Sequence, residues 1–342
     1  MADSVGGMDQ MMRAVGYRKN LPISDPASLE DVELLVPTPG PRDLLVRVEA
    51  VSVNPVDVKT RAASDPGGEL RVLGYDAAGV VDAIGSEVRW FEPGDEIYYA
   101  GSIGRPGSNA EYQLVDEHIV GHKPKTQSFP ESAALPLTSI TAWESLFERF
   151  GLTDTSDGTL LVVGAAGGVG SMVVQLARAR TKVTIIGTAS GTGPTTWVSG
   201  LGADHVVDHR PGLVKAVLDV APDGVDYVIS PFSAQNIQAY ARILKPGGHV
   251  TAIDEPEALD ILPLKSKSIS WHWEFMFTKP LFRPDDASQH DLLEQVAGLV
   301  DAGKVRTTIV AELSPFNAAT MRDAHSQVES PGKRGKIVVT GF

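Results

Sequence analysis

The stretch Leu160-Leu-Val-Val-Gly-Ala-Ala-Gly-Gly-Val-Gly170 places an apolar strand directly before a cluster of glycines, and an amphipathic segment follows it. Strand, glycine turn and helix in this order form the context that a dinucleotide-binding fingerprint requires. Gly167 lets the backbone approach a pyrophosphate, and Gly170 permits close packing of the helix on the strand. The N–H groups at the helix start would face that anion. Ala165 replaces the first glycine of the fingerprint, so a tight connection without a ligand is the alternative.

The segment from 135 to 283 alternates strands with helical patterns around this stretch, which predicts βαβ units and a doubly wound parallel sheet of the Rossmann type. The predicted strands are Thr159–Gly164, Lys182–Gly187, Val206–Asp208, Val225–Ser230 and His249–Ile253. A helix is predicted over Gly168–Arg180, where Val169, Met172, Val173, Leu176 and Ala177 share one face, and a second helix ends by Gly202. The predicted cofactor contacts in the glycine turn are Ala165, Ala166, Gly167, Gly168, Val169 and Gly170.

Residues 12–134 have a different sequence pattern from residues 135–283, because short strands there are interrupted by Pro and Gly. The predicted strands are Leu44–Val53, Gly79–Ile84, Asp95–Ala100 and Glu111–Val115. This pattern predicts an irregular β-rich domain. A further strand, Lys336–Thr340, could extend either domain, and we interpret residues 1–11 as a mobile leader.

Composition limits the possible partners. The 342 residues exceed the usual size of one core, and 42% hydrophobic residues indicate a globular fold of two domains. The net charge of −13 without a basic block argues against nucleic-acid and anionic-membrane partners. No apolar stretch reaches the roughly 20 residues of a membrane span, and no signal peptide is evident. We therefore expect a cytoplasmic protein. The absence of cysteine excludes disulfides and thiolate metal sites.

The choice of nucleotide is usually decided at the end of the strand that follows the glycine turn. A carboxylate there would bind the ribose 2′-hydroxyl of NAD and repel a 2′-phosphate. The segment Ile186-Gly-Thr-Ala-Ser-Gly191 contains no carboxylate but two hydroxyls, on Thr188 and Ser190. We therefore predict NADPH as the cofactor. The alternative is that these two residues only cap the next helix.

Several ordered motifs resemble the medium-chain dehydrogenase/reductase superfamily, in particular its quinone-oxidoreductase-like branch of zinc-type alcohol dehydrogenase-like proteins. The motifs are Val53-Asn-Pro-Val-Asp-Val-Lys59, Leu73-Gly-Tyr-Asp-Ala-Ala-Gly-Val-Val81, Phe91-Glu-Pro-Gly-Asp-Glu96, Ala133-Ala-Leu-Pro136 with Thr141-Ala-Trp143, Val163–Gly170, Leu201-Gly-Ala-Asp204 and Gly335-Lys-Ile-Val338. The resemblance implies a GroES-like domain (12–134) to which 284–342 return, with the nucleotide domain between them. It also implies a substrate cleft at the junction and a homodimer or homotetramer.

The departures from that family concern its metal and its cofactor. Zinc-dependent members bind the catalytic metal through Cys, His and Cys, and the matching positions here are Asn54, Tyr75 and Leu137. A leucine cannot bind zinc and a phenol is not a usual ligand, so we predict a site without metal. Close relatives often have an Arg at the position of Gly191, and its loss would weaken a preference for NADPH.

Without zinc, hydride chemistry needs a group that stabilises the negative charge developing on the acceptor. Tyr75 and Asn54 are the predicted donors, and Thr141 matches a family position beside the nicotinamide. Ser270–Phe277 alternates aromatic and polar residues like a strand, and from it Phe275 and Phe277 could form a flat pocket with Tyr75 and Asn54. Ile253 and Lys336 complete the predicted cofactor contacts. Alternatively, Tyr75 is a packed aromatic, Asn54 a turn residue, and Trp271 and Trp273 edge contacts; we interpret His272 as structural.

These observations predict an NADPH-dependent reductase of quinones, enones or similar activated double bonds. An unactivated alcohol must lose a proton before hydride leaves, and a conjugated acceptor avoids that demand. A carbonyl or alcohol oxidoreductase that works without zinc is the second hypothesis. The third is an NADPH-binding protein with little turnover, because the fold can bind a nucleotide whether or not chemistry follows.

Overall fold

The structure is a computed structural model that describes residues 10–210, 212–330, 332 and 334–342. The strands are β1 (Met11–Tyr17), β2 (Glu30–Leu35), β3 (Asp43–Val53), β4 (Arg71–Val72), β5 (Ala77–Ile84), β6 (Glu96–Tyr99), β7 (Tyr112–Asp116), β8 (Val120–His122), β9 (Thr159–Val162), β10 (Thr184–Thr188), β11 (His205–Val207), β12 (Val225–Ser230), β13 (Leu244–Ala252), β14 (Ser270–Trp273), β15 (Ile309–Leu313) and β16 (Lys336–Thr340). The helices are α1 (Pro55–Ala63), α2 (Phe129–Ala133), α3 (Pro136–Trp143), α4 (Gly168–Arg180), α5 (Thr192–Gly200), α6 (Leu213–Leu218), α7 (Ile237–Ile243), α8 (Thr278–Phe282), α9 (Ser288–Asp301) and α10 (Ala318–Glu329).

Six strands form a parallel sheet in the order β11-β10-β9-β12-β13-β14. Its central strand β9 is apolar and its residues Leu160 to Val162 are fully buried, as expected of a strand covered on both faces. Helix α4 follows the glycine turn and buries Met172, Val173, Leu176 and Ala177. The predicted parallel sheet of the Rossmann type is confirmed.

A second sheet contains β15-β16-β3-β5-β6-β8, with β7 also paired to β3. Strand β16 pairs antiparallel with β3, with Ile337 opposite Val53. Lys336–Thr340 thus extends the β-rich sheet, one of the two possibilities that the sequence left open. Helix α9 packs beside this sheet, where the Tyr98 hydroxyl donates to the Leu293 carbonyl at 2.6 Å.

A small third sheet has the order β2-β1-β4. In it, Met11 already pairs with Leu35, so the end of the predicted leader lies within strand β1. Residues 1–9 of that leader lie outside the described residues. Among the described helices, none is long and apolar enough to cross a membrane.

The chain leaves the parallel sheet earlier than the aromatic alternation suggests. Strand β14 ends at Trp273, and Glu274 donates one more backbone hydrogen bond, to Ala252 at 3.0 Å. The N–H of Thr278 then bonds to the carbonyl of Phe275 at 2.9 Å, which closes a turn before α8. Phe275 and Phe277 therefore lie on a turn and not on a strand.

Helix α3 continues into a π-helical turn over Glu144–Arg149, in which Phe150 N–H donates to the carbonyl of Ser145 at 3.2 Å. Such turns are rare and are found frequently at functional sites. This one begins one helical turn after Thr141.

Candidate functional site

The glycine turn and strand β16 meet at the junction of the two large sheets. The N–H of Gly335 donates to the carbonyl of Ala166 at 3.0 Å, and Gly335 also forms a parallel bridge with Gly167. The side chain of Lys336 runs over the same turn, because a Cβ on Gly168 would lie 3.0 Å from its Cδ. The predicted cofactor contacts Gly167, Gly168 and Lys336 are thus brought together.

The glycine turn brings the start of α4 into close contact with the end of β9. A Cβ on Gly170 would lie 2.4 Å from the Gly164 carbonyl oxygen, so only glycine permits this close approach. Gly167 precedes α4 in extended conformation, and no side chain of the described residues caps the helix start. The N–H groups of the first turn of α4 are therefore available to an anion, and these residues fit a nucleotide phosphate.

Thr188 and Ser190 have different surroundings. Thr188 is 1% exposed and its Oγ1 accepts the Gly164 N–H at 2.9 Å, which attaches the glycine turn to β10. Ser190 donates to Oδ1 of Asp208 at 2.7 Å, and Asp208 is paired with Arg210. Asp208 and Arg210 were not predicted from the sequence, because only the end of the strand after the glycine turn was considered there. Arg210 keeps the pKa of Asp208 well below its usual value.

Gly191 adopts φ of +89°, a backbone region that L side chains rarely occupy. An arginine at this position would therefore be strained. A different arginine is nearby, because a Cβ on Gly193 would lie 3.2 Å from Nη1 of Arg334. Arg334 was also missed, since it is distant in sequence and reaches the first turn of α5 only through the fold.

The three positions that match zinc ligands do not form a zinc site. Among the residues that the structure describes, no three His, Asp or Glu side chains lie close enough together to hold a metal ion, and the sequence has no cysteine. Leu137 contributes only its backbone N–H, which donates to Oδ1 of Asp76 at 2.7 Å. The donor set of Asn54, Tyr75 and Leu137 therefore does not fit zinc.

A buried polar network takes the place of ligands. The amide of Asn54 donates to the Ser52 carbonyl at 3.2 Å and to Oδ2 of Asp76 at 2.8 Å, and its oxygen accepts from Lys336. The Lys336 ammonium also pairs with Asp76 at 2.8 Å. Because both hydrogens of the Asn54 amide are already donated, to Ser52 and Asp76, this side chain positions its neighbours and has no hydrogen left for an acceptor molecule. Asp76 was missed by the sequence analysis, and burial raises the pKa of its carboxyl.

Asp57 is a second buried carboxylate beside this network. It accepts backbone N–H groups from Asn54 at 2.7 Å and Gly74 at 3.1 Å, and so fixes the start of α1. Burial raises its pKa to about 7.

Tyr75 is 2% exposed and contacts Phe277 edge to face, with ring centroids 5.2 Å apart. Phe277 contacts Phe275 in the same manner at 5.4 Å. Burial and the charge of Asp57 raise the pKa of Tyr75 to about 12, so the phenol keeps its proton at neutral pH. The structure thus brings three of the predicted pocket residues together.

Thr141, Ile253 and His272 each have a hydrogen-bond partner within the protein. Thr141 donates to the Leu137 carbonyl at 2.8 Å within α3. Ile253 follows β13, and its N–H donates to Ser230 at 3.0 Å. His272 stacks on His249, with ring nitrogens 3.1 Å apart. The two histidines are 23 positions apart in sequence and meet only because β13 and β14 pair.

Two family models match the chain. The model of the alcohol dehydrogenase GroES-like domain matches residues 40–125, and the model described as zinc-binding dehydrogenase matches residues 201–339. A zinc-type alcohol dehydrogenase-like protein of Staphylococcus epidermidis is 34% identical over 96% of this chain and 99% of its own. The chain belongs to the medium-chain dehydrogenase/reductase superfamily. It is an oxidoreductase of the zinc-type alcohol dehydrogenase-like and quinone oxidoreductase-like group, in a superfamily that uses NAD(P)H.

Other relatives and solved structures agree with this membership. A tomato 2-methylene-furan-3-one reductase is 33% identical over 86% of this chain and 71% of its own. The chloroplastic NADPH-dependent alkenal/one oxidoreductase of Arabidopsis thaliana is 32% identical over 90% and 74%. A crystal structure from Rhizobium etli CFN 42, provisionally named a zinc-dependent alcohol dehydrogenase protein, is 48% identical with a TM-score of 0.93 and covers 98% of this chain and 99% of its own.

Proposed function

We propose that this oxidoreductase uses NADPH to reduce quinones, enones or similar activated double bonds without zinc. The observation that supports this most is the buried phenol of Tyr75, which stands at a family zinc-ligand position and contacts the Phe275–Phe277 aromatic pair. A flat conjugated acceptor packs well on aromatic rings. The names of the two plant relatives agree with this acceptor class.

NADPH, when bound, supplies the hydride. The glycine turn and the start of α4 would hold its pyrophosphate, and Lys336 lies over the same turn. Thr141 would lie beside the nicotinamide. Tyr75 would donate a hydrogen bond to the acceptor oxygen on which negative charge develops. Asn54 would position this site through Asp76 and Lys336.

Two arginines support the choice of NADPH over NADH. Arg210 pairs with Asp208, which accepts from Ser190, and Arg334 lies near Gly193, so both arginines are close to the segment where a 2′-phosphate would be bound. The carboxylate of Asp208 favours NADH instead, because it could accept a hydrogen bond from a ribose 2′-hydroxyl. We therefore propose a modest preference for NADPH, with Ser190 and Arg210 released from Asp208 when the phosphate binds.

The test is NADPH oxidation with a panel of quinones, enones and alkenals, and NADP⁺ reduction with simple alcohols. We expect turnover with the conjugated acceptors and little with alcohols. Y75F should lower kcat by about 10–100-fold and leave the Kd for NADPH unchanged, because one charge-stabilising donor is typically worth this much or more. Y17F is a control, since that phenol donates to the carbonyl of Thr60 in α1 and to that of Ser64 just after the helix.

Two results would favour the other hypotheses. Efficient oxidation of a simple alcohol by metal-free protein would indicate an alcohol oxidoreductase. Tight NADPH binding with no response to any acceptor would indicate a nucleotide-binding protein with little turnover.

We further propose that the protein is a homodimer or homotetramer. Strand β14 is the last strand of the parallel sheet, and Trp273 on it is 51% exposed. An exposed edge strand with a large apolar side chain is suited to association. Light scattering coupled to size exclusion will decide it: a monomer at micromolar concentration would refute the proposal.

A further inference from the structure

A group of charged side chains lies next to the Phe275–Phe277 segment and is not used by the proposed chemistry. Glu144, at the start of the π-helical turn, is fully buried, and the side chain of Glu274, just after β14, is 0% exposed. The other charged members are Glu148 and Arg149 on the same turn and Lys279 on α8. The π-helical turn, β14 and α8 are thus joined by five ionisable groups.

One oxygen of this group is fully satisfied. Oε1 of Glu144 accepts from Lys279 at 3.1 Å and from the amide of Gln289 at 3.1 Å. The same Gln289 amide donates to the Met276 carbonyl at 2.6 Å, so it also holds the backbone between Phe275 and Phe277. Lys279 additionally donates to Glu148 at 2.6 Å.

Three buried carboxyl oxygens have no hydrogen-bond donor within the described residues: Oε2 of Glu144 and both oxygens of Glu274. Arg149 Nε lies 3.0 Å from Oε2 of Glu274, but its hydrogen is directed to the Trp273 carbonyl at 3.1 Å. Two buried carboxylates with three oxygens that lack donors would cost several kcal/mol in a folded protein. A proton between them would remove most of that cost.

The balance of charge leads to the same conclusion. Three carboxylates, on Glu144, Glu148 and Glu274, face the two cations of Arg149 and Lys279. One added proton makes the group neutral. The direction of the pKa shift agrees, since burial and the neighbouring charge of Glu144 raise the pKa of Glu274.

We propose that Glu144 and Glu274 share one proton at neutral pH, and that this bridge positions the Phe275–Phe277 segment against the π-helical turn. Both glutamates are positioning residues, because they act through the segment and do not touch the acceptor. The consequence for the acceptor rests on the proposed function. The shared proton itself does not.

The bridge makes stability depend on pH in a defined direction. The folded protein holds the proton more tightly than the unfolded chain, in which glutamate titrates near pH 4.5. This contribution is therefore complete below pH 4.5 and is lost as pH rises towards the higher folded pKa. The unfolding constant should increase by up to about tenfold per pH unit from this group alone.

The experiment compares wild type, E274Q, E144Q and E148Q in urea unfolding between pH 6 and 9. An amide at either bridging position can donate to the remaining carboxylate without an added proton. We therefore expect E274Q and E144Q to lose the same part of the pH slope. E148Q removes a 32% exposed charge that solvent screens and leaves the three oxygens of Glu144 and Glu274 without donors, so it should reduce the slope less than either bridging variant.

Two further readouts make the result decisive. Infrared spectra at pH 7 should show a protonated carboxyl in the wild type that is absent from E274Q and from E144Q. The KM for a quinone should rise in the wild type above neutral pH and stay level in E274Q, with the Kd for NADPH constant in both.

Unchanged slopes in both variants, or no protonated carboxyl in the wild type, would overturn the proposal. If E274Q and E144Q do not fold, the wild-type infrared spectrum at pH 8.5, where Asp57 with its pKa of about 7 is ionised, decides alone. If no acceptor is turned over, the proposed function fails, and the unfolding and infrared data still judge the shared proton.

Discussion

Two buried carboxylates, Asp76 next to Tyr75 in the chain and Glu274 next to Phe275, differ in the hydrogen bonds that they accept. Asp76 accepts from the Leu137 N–H, the Asn54 amide and the Lys336 ammonium, at 2.7 to 2.8 Å. Glu274 is equally hidden from water and accepts no hydrogen bond from the described residues. Burial alone therefore does not determine the state of a carboxyl group. Burial raises the pKa of Asp76 while Lys336 and the Asn54 amide act to lower it, whereas burial and the charge of Glu144 both raise the pKa of Glu274.

The Asp76 network can be broken by removing its cation. K336M should destabilise the protein by about 3–5 kcal/mol, because it leaves a buried carboxylate without its counter-charge. Urea unfolding at pH 7 measures this. K215M, which removes an 81% exposed lysine, is the matched control and should change little. The double variant D76N/K336M should recover part of the loss, and a K336M protein of wild-type stability would refute the role of the pair.

The contrast becomes sharper when each carboxylate is replaced by its amide. D76N should lose about 1–3 kcal/mol, because the new amide donors would meet the donors of Asn54 and Lys336. E274Q should be at least as stable as the wild type at pH 8, since the amide supplies the missing hydrogen. Unfolding midpoints of the two variants side by side are the measurement. A shift of both in the same direction would remove the distinction drawn between the two sites.

His325 tests the same principle with a base. It is fully buried on α10, both ring nitrogens lack partners among the described residues, and burial together with Arg61 lowers its pKa to about 3. The unfolded chain binds a proton near pH 6.5, so stability is lost as pH falls below that value. Between pH 6.5 and 5 this amounts to about 2 kcal/mol. H325L should remove that loss, whereas H205L at an exposed position should not. Equal acid profiles for wild type and H325L would contradict this account.

The smallest effect is expected at the exposed end of the nucleotide site. R210A should lower the preference for NADPH over NADH severalfold, because a cation beside the 2′-phosphate is lost and Asp208 is left free to accept from a ribose hydroxyl. D208N should shift the preference the other way. Fluorescence titration with both nucleotides gives the ratio. Identical ratios for the two variants would show that this pair does not read the 2′ position.

Local patterns predicted a large part of the fold. Val225–Ser230, Gly168–Arg180 and Lys336–Thr340 have the predicted bounds, because apolar strands and the glycine-to-helix transition are encoded by neighbours in sequence. The alternation over Ser270–Phe277 predicted a strand that in the structure ends at Trp273. Its alternation continues to Phe277, but the turn that the chain makes there depends on tertiary contacts with α9, including the Gln289 bond to Met276.

The site was predicted only in part, for a related reason. Motifs indicated Asn54, Tyr75 and the glycine turn, whereas Asp76, Asp208, Arg334 and the two bridging glutamates gain their meaning from partners far away in the chain. Glu144 and Glu274, for example, are ordinary charged residues in sequence. Only the fold buries them close together, and no spacing in the sequence predicts that they meet.

The pairing of β16 with β3 also affects how the chain can fold while it is being synthesised. Lys336 reaches Asn54 across 282 positions, and Val53 has no β16 partner until the ribosome has added nearly all of that length. The parallel sheet, whose strands lie between these two points, can form first. Until β16 is made, residues 50–53 of β3 lack their partner strand and Asp76 lacks the Lys336 ammonium. Unpaired strand edges of this kind make a nascent chain prone to aggregation.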